Sequence, residues 1–191
     1  MGEVLTLFVA TMLNWTILFP IHILWINLVT DAFPALALGM EKAEKDVMKH
    51  KPRKANSSIF SDGLGLNMLY QGILEGAITL LVFYAGAKMY SNEAAITMAF
   101  VTLGLIQLAH SLNVRSGKKS LFQLGLFSNM YLIGAIALST LLQIIVILVP
   151  FLNGIFRVVP LNWEQWLIVI GASVSIIPIV EIVKLFQRRR A

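Results

Sequence analysis

Residues 25–39 read WINLVTDAFPALALG, and they place an aspartate, Asp31, in the middle of an otherwise apolar run. An ionisable side chain at membrane depth costs about 2.5–3.5 kcal/mol on insertion scales, so each such residue is a functional candidate. Pro34 follows three residues later and has no N–H to donate to the carbonyl of Thr30, four residues before it. We therefore predict a membrane helix that is interrupted near Pro34 and lines a site.

The rest of the chain has the composition of a membrane protein. Of its 191 residues, 58% are hydrophobic and only 13% are charged, whereas a soluble domain carries about 25% charged residues. Apolar runs of about 20 residues, the length that spans a bilayer, recur along the sequence. The chain has no cysteine, which excludes disulfides and thiolate metal sites. We predict an all-α, polytopic membrane helical bundle with six transmembrane spans, at residues 3–19, 21–40, 63–89, 94–113, 130–149 and 166–186.

The positive charge is distributed unevenly between the two sides of this bundle. Except for Lys88 and Arg157, every lysine and arginine lies after the second span, after the fourth span or near the C-terminus. The positive-inside rule therefore predicts that this basic side, with both chain ends, is cytoplasmic. The same rule accounts for the net charge of +5, so no nucleic-acid partner is expected. The predicted organisation is a first helical hairpin (1–40), a basic cytoplasmic loop (41–62) and a four-helix membrane bundle (63–191).

Three polar residues of the second span share one face of a helix. Asn27, Thr30 and Asp31 are spaced three and four residues apart. Carboxylate, amide and carbonyl oxygens that converge in this way are the ligands of a hard cation such as Ca²⁺. The spacing therefore favours an ion site, while an aspartate that hydrogen-bonds a neighbouring helix for packing is the alternative.

Two further acids lie in apolar surroundings. Glu3 lies inside a membrane helix if the natural chain extends upstream, and is an exposed acid otherwise. Glu75 lies between Gly72 and Gly76, a small-xxx-small pair that lets two helices approach closely. We expect Glu75 to have a structural role, and a place in a cavity or behind the ligands of an ion site is the alternative.

Polar residues also occur towards the basic ends of the fourth and last spans. Gln107, His110 and Asn113 are spaced three apart on one helix face. Gln107 is the deepest of them and can supply a neutral oxygen ligand, whereas His110 and Asn113 are expected to cap or pack. Glu181 precedes Lys184 by three residues, which predicts an ion pair that reaches towards the membrane surface.

The motifs of soluble enzymes are absent from the sequence. It contains no glycine-rich phosphate loop, no nucleophile with a base at useful spacing and no HExxH. We therefore expect no catalytic residue and no cofactor-binding residue in this chain.

Three segments of the sequence, GEVLTLF, ILWINLVTDAFPALALGMEKAEKDVM and KPR, resemble a known family. They are similar to the C-terminal membrane domain, helices five to ten, of P-type cation-transporting ATPases, and closest to the type II Ca²⁺ pumps of bacteria and of the sarco/endoplasmic reticulum. The resemblance implies that Ca²⁺ is the transported ion. It also implies that the metal ligands are Glu3, Asn27, Thr30, Asp31 and Gln107. Gln107 stands where the family has a glutamate, so one negative charge of the second Ca²⁺ site is lost.

The resemblance also implies that this chain works with other parts of a pump. ATP and Mg²⁺ would bind only in cytoplasmic domains outside this sequence, and the rest of the pump and the lipid bilayer would be its partners. A bacterial pump of this kind would lie in the cell membrane. Two alternatives stay open: a pump of the same superfamily for Na⁺, K⁺, H⁺ or Mn²⁺, and a stand-alone membrane channel or transporter subunit.

Overall fold

The computed structural model describes residues 1–42, 64–116 and 119–190, and all regular structure in these ranges is helical. The predicted all-α membrane bundle is thereby confirmed. The predicted basic loop, 41–62, lies outside the described residues except for its first two positions. The helices are α1 (Gly2–Met12), α2 (Pro20–Trp25), a π-helix (Ile26–Asp31), α3 (Ala32–Leu38), α4 (Leu64–Met89), α5 (Asn92–Asn113), α6 (Leu121–Leu124), α7 (Met130–Leu148), α8 (Pro150–Phe156) and α9 (Trp163–Arg190).

Five helical segments of the described residues are long and apolar enough to cross a membrane, and they correspond to the second to sixth predicted spans. They are Pro20–Leu38, Leu64–Met89, Asn92–Asn113, Met130–Leu148 and Trp163–Gln187. The first of these consists of α2, the π-helix and α3 in continuous succession, and is called the π-containing span below.

Helix α1 is shorter than the first predicted span, residues 3–19. It ends at Met12, because Asn14 adopts a left-handed conformation with φ of 55°. The Trp15 N–H then donates to the carbonyl of Ala10 at 2.8 Å, which closes the helix end. The described part of α1 has eleven residues and is about 16 Å long, at 1.5 Å per residue.

Helix α5 occupies the centre of the bundle. It packs against α4, α7, α9 and the π-containing span, and Met98, Phe100 and Leu103 are fully buried within it. Lipid tails are as apolar as these side chains, so helix association relies on van der Waals packing and close approach at small residues. Gly86 of α4 is one such place, because a Cβ there would lie 3.0 Å from the Cα of Ala95.

The predicted interruption near Pro34 takes the form of the π-helix. The helix continues past Pro34 to Leu38, and the irregularity lies one turn earlier. Pro34 follows the change from the π-helix to an α-helix and has no N–H. It therefore donates neither to the carbonyl four residues before it, the α-helical partner, nor to the carbonyl five residues before it, the π-helical partner. The latter belongs to Val29, and the Ser139 hydroxyl of α7 donates to it at 2.6 Å.

Helices α3, α5 and α9 end on the same side of the bundle, where α4 and α7 begin. Lys184 of α9 donates to the carbonyl of Asn113 at the end of α5, and Gln187 bonds Asn67 near the start of α4. We call this side the basic end, because the basic segments of the sequence follow α3 and α5 and form the end of α9.

Candidate cation site

Thr30 and Gln107 meet at the contact between the π-helix and α5. The Thr30 hydroxyl lies 3.1 Å from Oε1 of Gln107 and 2.9 Å from the carbonyl oxygen of Ile26. A hydroxyl carries one proton, so it donates to one of these oxygens at a time. Thr30 is 1% exposed. A Cβ on Gly104 would lie 3.4 Å from the Thr30 methyl group, so this glycine keeps α5 close to the π-helix.

Glu3 and Asn27 form a second polar contact, between α1 and the π-helix. Asn27 Nδ2 donates to Oε1 of Glu3 at 3.4 Å and to the carbonyl of Ile23 at 2.9 Å. Both bonds are donated by Nδ2, so neither of them occupies the side-chain oxygen of Asn27. The π-containing span therefore directs Asn27 towards α1 and Thr30 towards α5.

Asp31 lies at the end of the π-helix beside a cavity of about 300 Å³. Thr30, Gln107, Glu75 and His110 also line this cavity, which extends towards the basic end at Ser111 and Val114. Asp31 itself is exposed. The cavity thus joins the predicted ion site to the basic end of the bundle.

Glu75 is 8% exposed and is the one carboxylate of α4 that lines the cavity. It packs against α1, where a Cβ added to Gly2 would collide with its Oε2. The expected close approach at the small residues is also present, because a Cβ on Gly76 would lie 3.2 Å from the Thr6 hydroxyl. Glu75 therefore has the packing role that the sequence indicated, and it borders the cavity in addition.

The structure thus brings four of the five predicted ligands together in two separate contacts rather than as one closed cage, and the fifth, Asp31, lines the cavity beside Thr30 and Gln107. Among the described residues, no three His, Asp or Glu side chains are grouped closely enough to hold a metal ion. The oxygens that do gather are of mixed type: carboxylates, amides and a hydroxyl. Ca²⁺ accepts such a mixture, usually with six to eight oxygens in all.

Sequence reasoning missed the contribution of α7. Gln143 Oε1 accepts a hydrogen bond from Trp25 Nε1 at 2.9 Å, and Ser139, one turn earlier, bonds the π-helix. The Gln143 side chain is fully buried, and its Nε2 has no partner. Two polar residues four apart in a span with no charged residue were the signal that could have revealed this face.

The polar residues near the basic end of α5 and α9 are structural. Asn113 Nδ2 donates to the carbonyl of Ile176 at 3.4 Å, as expected for a packing residue. The predicted ion pair is confirmed, with Lys184 Nζ 3.4 Å from Oε1 of Glu181. Lys184 is buried rather than extended to the surface, because its ammonium also donates to the Asn113 carbonyl at 2.6 Å.

Residues 15–186 match the family model described as "Cation transporting ATPase, C-terminus". The chain belongs to this family of cation-transporting ATPases. The match covers the π-containing span with Asn27, Thr30 and Asp31, as well as Gln107, while Glu3 lies before it. The resemblance to the membrane domain of cation pumps is thereby confirmed.

Individual members of the cation-transporting ATPase family are similar over nearly the whole chain. "Calcium-transporting ATPase 1" of Bacillus cereus is 42% identical over 98% of the chain, which corresponds to 23% of that protein. "Calcium-transporting ATPase" of Bacillus subtilis is 43% identical over 90% of the chain and 20% of that protein. "Endoplasmic reticulum calcium ATPase srcA" of Aspergillus fumigatus is 31% identical over 98% of the chain and 23% of that protein. The chain thus spans about a fifth of the length of these relatives.

Proposed function

We propose that the chain is part of the membrane domain of an ATP-driven pump and supplies part of an intramembrane site for Ca²⁺. The observation that carries this proposal is that oxygen side chains from two other helices meet polar residues of the π-helix. Glu3 comes from α1, Gln107 from α5, and both contact residues of the π-helix itself. The names of the similar proteins, which are calcium-transporting ATPases, support Ca²⁺ as the cargo.

In this proposal each residue of the site has a distinct role. Asp31 and Glu3 supply negative charge, while Asn27, Thr30 and Gln107 supply neutral oxygens. Movement of the π-containing span relative to α1 and α5 would separate Glu3 from Asn27 and Thr30 from Gln107. The site would then gain and lose ligands as it opens to one side of the membrane or the other, driven by phosphorylation elsewhere in the pump.

The remaining parts of the pump would be the partners of this chain, together with the lipid bilayer. ATP and Mg²⁺ would bind in those parts, because the sequence of this chain has no motif for them. The basic end would face the cytoplasm, in agreement with the distribution of lysine and arginine. For a bacterial pump such as two of the relatives, the membrane would be the cell membrane.

A pump for another cation is the second candidate, and a specific residue favours it. Gln107 is neutral, so the site holds few carboxylates, which suits a monovalent ion or a single divalent one.

The test uses the full-length protein that carries this segment. Phosphoenzyme formation from labelled ATP and equilibrium binding of radiolabelled Ca²⁺ are measured for the wild type, Asp31→Asn and the control Glu164→Gln. Glu164 contacts Tyr90 near the start of α9, away from the site. We expect Asp31→Asn to lose Ca²⁺ binding and Ca²⁺-dependent phosphorylation, and Glu164→Gln to retain both. Normal Ca²⁺ dependence in Asp31→Asn would overturn the site, and phosphorylation triggered only by Na⁺, K⁺ or Mn²⁺ would change the cargo.

A further inference from the structure

A buried ion pair lies at the basic end, outside the candidate cation site. The Arg115 side chain is fully buried and binds Glu41 with two hydrogen bonds, Nε to Oε2 at 3.0 Å and Nη2 to Oε1 at 2.7 Å. Its Nη1 donates to the carbonyl of Gly125 at 2.9 Å, and Nη2 also donates to the hydroxyl of Ser128. This two-pronged geometry is specific to arginine and fixes direction as well as distance.

Asn129 extends the same network to α7. Its Oδ1 accepts from the Leu132 N–H at 3.0 Å and so caps the start of that helix. Its Nδ2 donates to Oε2 of Glu41 at 2.8 Å and to the carbonyl of Ala37 at 3.1 Å. Asn129 is 5% exposed. Arg115, Glu41, Ser128 and Asn129 are called the Arg115 cluster below.

The Arg115 cluster connects the two helical segments that carry the cation site. Glu41 follows the last residue of α3 by three positions, and α3 continues directly from the π-helix. Arg115 follows the last residue of α5 by two positions, and Gln107 lies eight residues before it. Helix α5 therefore runs about 9 Å from Gln107 to its last residue, Asn113, and a short turn leads on to Arg115.

Helices transmit a displacement along their axes because their backbone hydrogen bonds make them stiff. The cluster fixes one end of the π-containing span against α5, and the contact of Thr30 with Gln107 lies further along the same pair of elements. A sliding of α3 past α5 by one residue, 1.5 Å, would lengthen that 3.1 Å contact to about 3.4 Å even if the slide is perpendicular to it, and so weaken the hydrogen bond.

We propose that Arg115 and Glu41 are positioning residues for the cation site, which set the axial register of the π-containing span against α5 so that Thr30 and Gln107 meet. The proposal rests on the proposed function in that the site which the pair positions is the proposed cation site. Neither residue touches the cation, since both lie at the basic end. Their effect is exerted through the helices.

A purely structural role is the competing explanation, and the chain offers a matched control for it. Lys184 is also buried, also pairs with a glutamate and also bonds the basic end of α5. Lys184 lies on α9, so its contact joins α5 to α9 rather than to the π-containing span. Loss of Lys184 should therefore weaken the fold without altering the register of the cation site.

The experiment compares Arg115→Gln, Glu41→Gln and the double variant with Lys184→Gln in the full-length protein. The concentration of Ca²⁺ that gives half-maximal binding is measured separately from the maximal amount bound, and phosphoenzyme is titrated in parallel. We expect each single variant of the pair to raise the half-saturating Ca²⁺ by ~10-fold, an effect of about 1.4 kcal/mol, with the maximal binding largely retained. The double variant should raise the half-saturating Ca²⁺ no further than the more strongly affected single variant does, because both substitutions remove the same interaction. Lys184→Gln should lower the yield of folded protein and leave the half-saturating concentration unchanged.

Arg115→Lys keeps the charge but loses the paired hydrogen bonds, and it guards against a failure of the other variants to fold. We expect it to shift the half-saturating Ca²⁺ in the same direction by a smaller factor. Unchanged Ca²⁺ affinity in the folded Arg115→Lys and Glu41→Gln proteins would overturn the proposal, and so would an equal shift in Lys184→Gln.

A distance measurement separates this proposal from the proposed function. In a full-length protein whose cysteines outside this chain have been replaced, spin labels at Leu36→Cys in α3 and Val114→Cys beside α5 report the register directly, since the chain itself has no cysteine. We expect Arg115→Lys and Glu41→Gln to broaden or shift this distance and Lys184→Gln to leave it unchanged. An unchanged distance in the pair variants overturns the positioning role. If the wild type binds no cation but Arg115→Lys and Glu41→Gln still shift the label distance, the proposed function is contradicted and the register role is supported.

Discussion

The hydroxyl of Ser139 donates a 2.6 Å hydrogen bond to the backbone carbonyl of Val29. Val29 lies five residues before Pro34, which has no N–H to offer at the five-residue spacing of a π-helix, and a side chain of α7 donates to the Val29 carbonyl. The π-helix is thus stabilised from outside by a neighbouring helix. This bond gives the Val29 carbonyl a donor from outside its own helix, beside residues that depart from regular α-helical geometry.

Replacing Ser139 with alanine should therefore destabilise the protein. The Val29 carbonyl would lose its α7 partner, and we expect a loss of about 1 kcal/mol in the free energy of unfolding. The measurement is thermal unfolding of the detergent-solubilised full-length protein. Ser175→Ala is the control, since the Ser175 hydroxyl donates to the carbonyl of Ala172 in its own helix. Equal stability of the two variants would contradict the bridging role of Ser139.

Replacing Gln107 with glutamate should change cation affinity while preserving the fold. A glutamate can accept the Thr30 hydroxyl as the glutamine does, and it adds a negative charge beside Asp31 in the same cavity. Ca²⁺ sites bind more tightly as ligand charge rises. We therefore expect the half-saturating Ca²⁺ to fall by ~5-fold or more, about 1 kcal/mol. Equilibrium binding of radiolabelled Ca²⁺ measures this change.

Gln165→Glu provides the matched control for this prediction. Gln165 is also buried, but it lies in the first turn of α9, where its Oε1 accepts from the Asn162 N–H. A carboxylate can accept that bond and is favoured at a helix N-terminus. If Gln107→Glu titrates with Ca²⁺ as Gln165→Glu does, Gln107 has no role in the site.

The sequence predicted the helical architecture well, because hydropathy adds up residue by residue along a span. Five spans end within a few residues of the predicted bounds. The first helix was predicted too long, since the left-handed turn at Asn14 interrupts a segment whose composition stays apolar. Hydropathy carries no information about such a single backbone conformation.

The sequence also indicated the residues of the candidate site, but not which neighbours they contact. Asn27 and Thr30 were expected on one helix face, and the structure directs them to α1 and α5 respectively. Which helix lies beside which face depends on packing across the whole bundle, and spacing within one span does not determine it. Ser139 and the Arg115 cluster were missed for the same reason, because their partners are distant in sequence.

Replacing Gly86 with alanine should weaken the packing of α4 against α5. A Cβ there would lie 3.0 Å from the Cα of Ala95 and 3.1 Å from the sulfur of Met98. Backbone cannot move aside cheaply, so we expect a loss of about 1–3 kcal/mol in the free energy of unfolding. Gly134→Ala in α7 is the control, because nothing lies within 4 Å of its Cβ position. That variant should be neutral or up to about 1 kcal/mol more stable, from helix propensity.

The Arg115–Glu41 pair predicts a specific dependence of stability on pH. Hydrogen bonds from the Arg115 guanidinium hold the pKa of the Glu41 carboxyl below its ordinary value of 4.5. Partial burial of Glu41 acts in the opposite direction, and the hydrogen bond from the Asn129 amide lowers the pKa further. The folded state thus binds the Glu41 proton less tightly than the unfolded state does. The stability that the pair contributes is therefore fully present above pH 4.5 and is lost as the pH falls through the lower pKa of the folded protein.

The difference in stability between the wild type and Glu41→Gln should follow this curve. We expect the wild type to have the higher Tm at neutral pH and the gap to narrow steadily as the pH is lowered below 4.5. Arg115→Gln removes the charged partner, so adding Glu41→Gln to it should give little further pH dependence. The measurement is Tm against pH for the four proteins in detergent. A gap that stays constant from neutral pH to well below pH 4.5 would show that the Glu41 charge contributes nothing to the stability of the Arg115 cluster, and the pair would then act through shape alone.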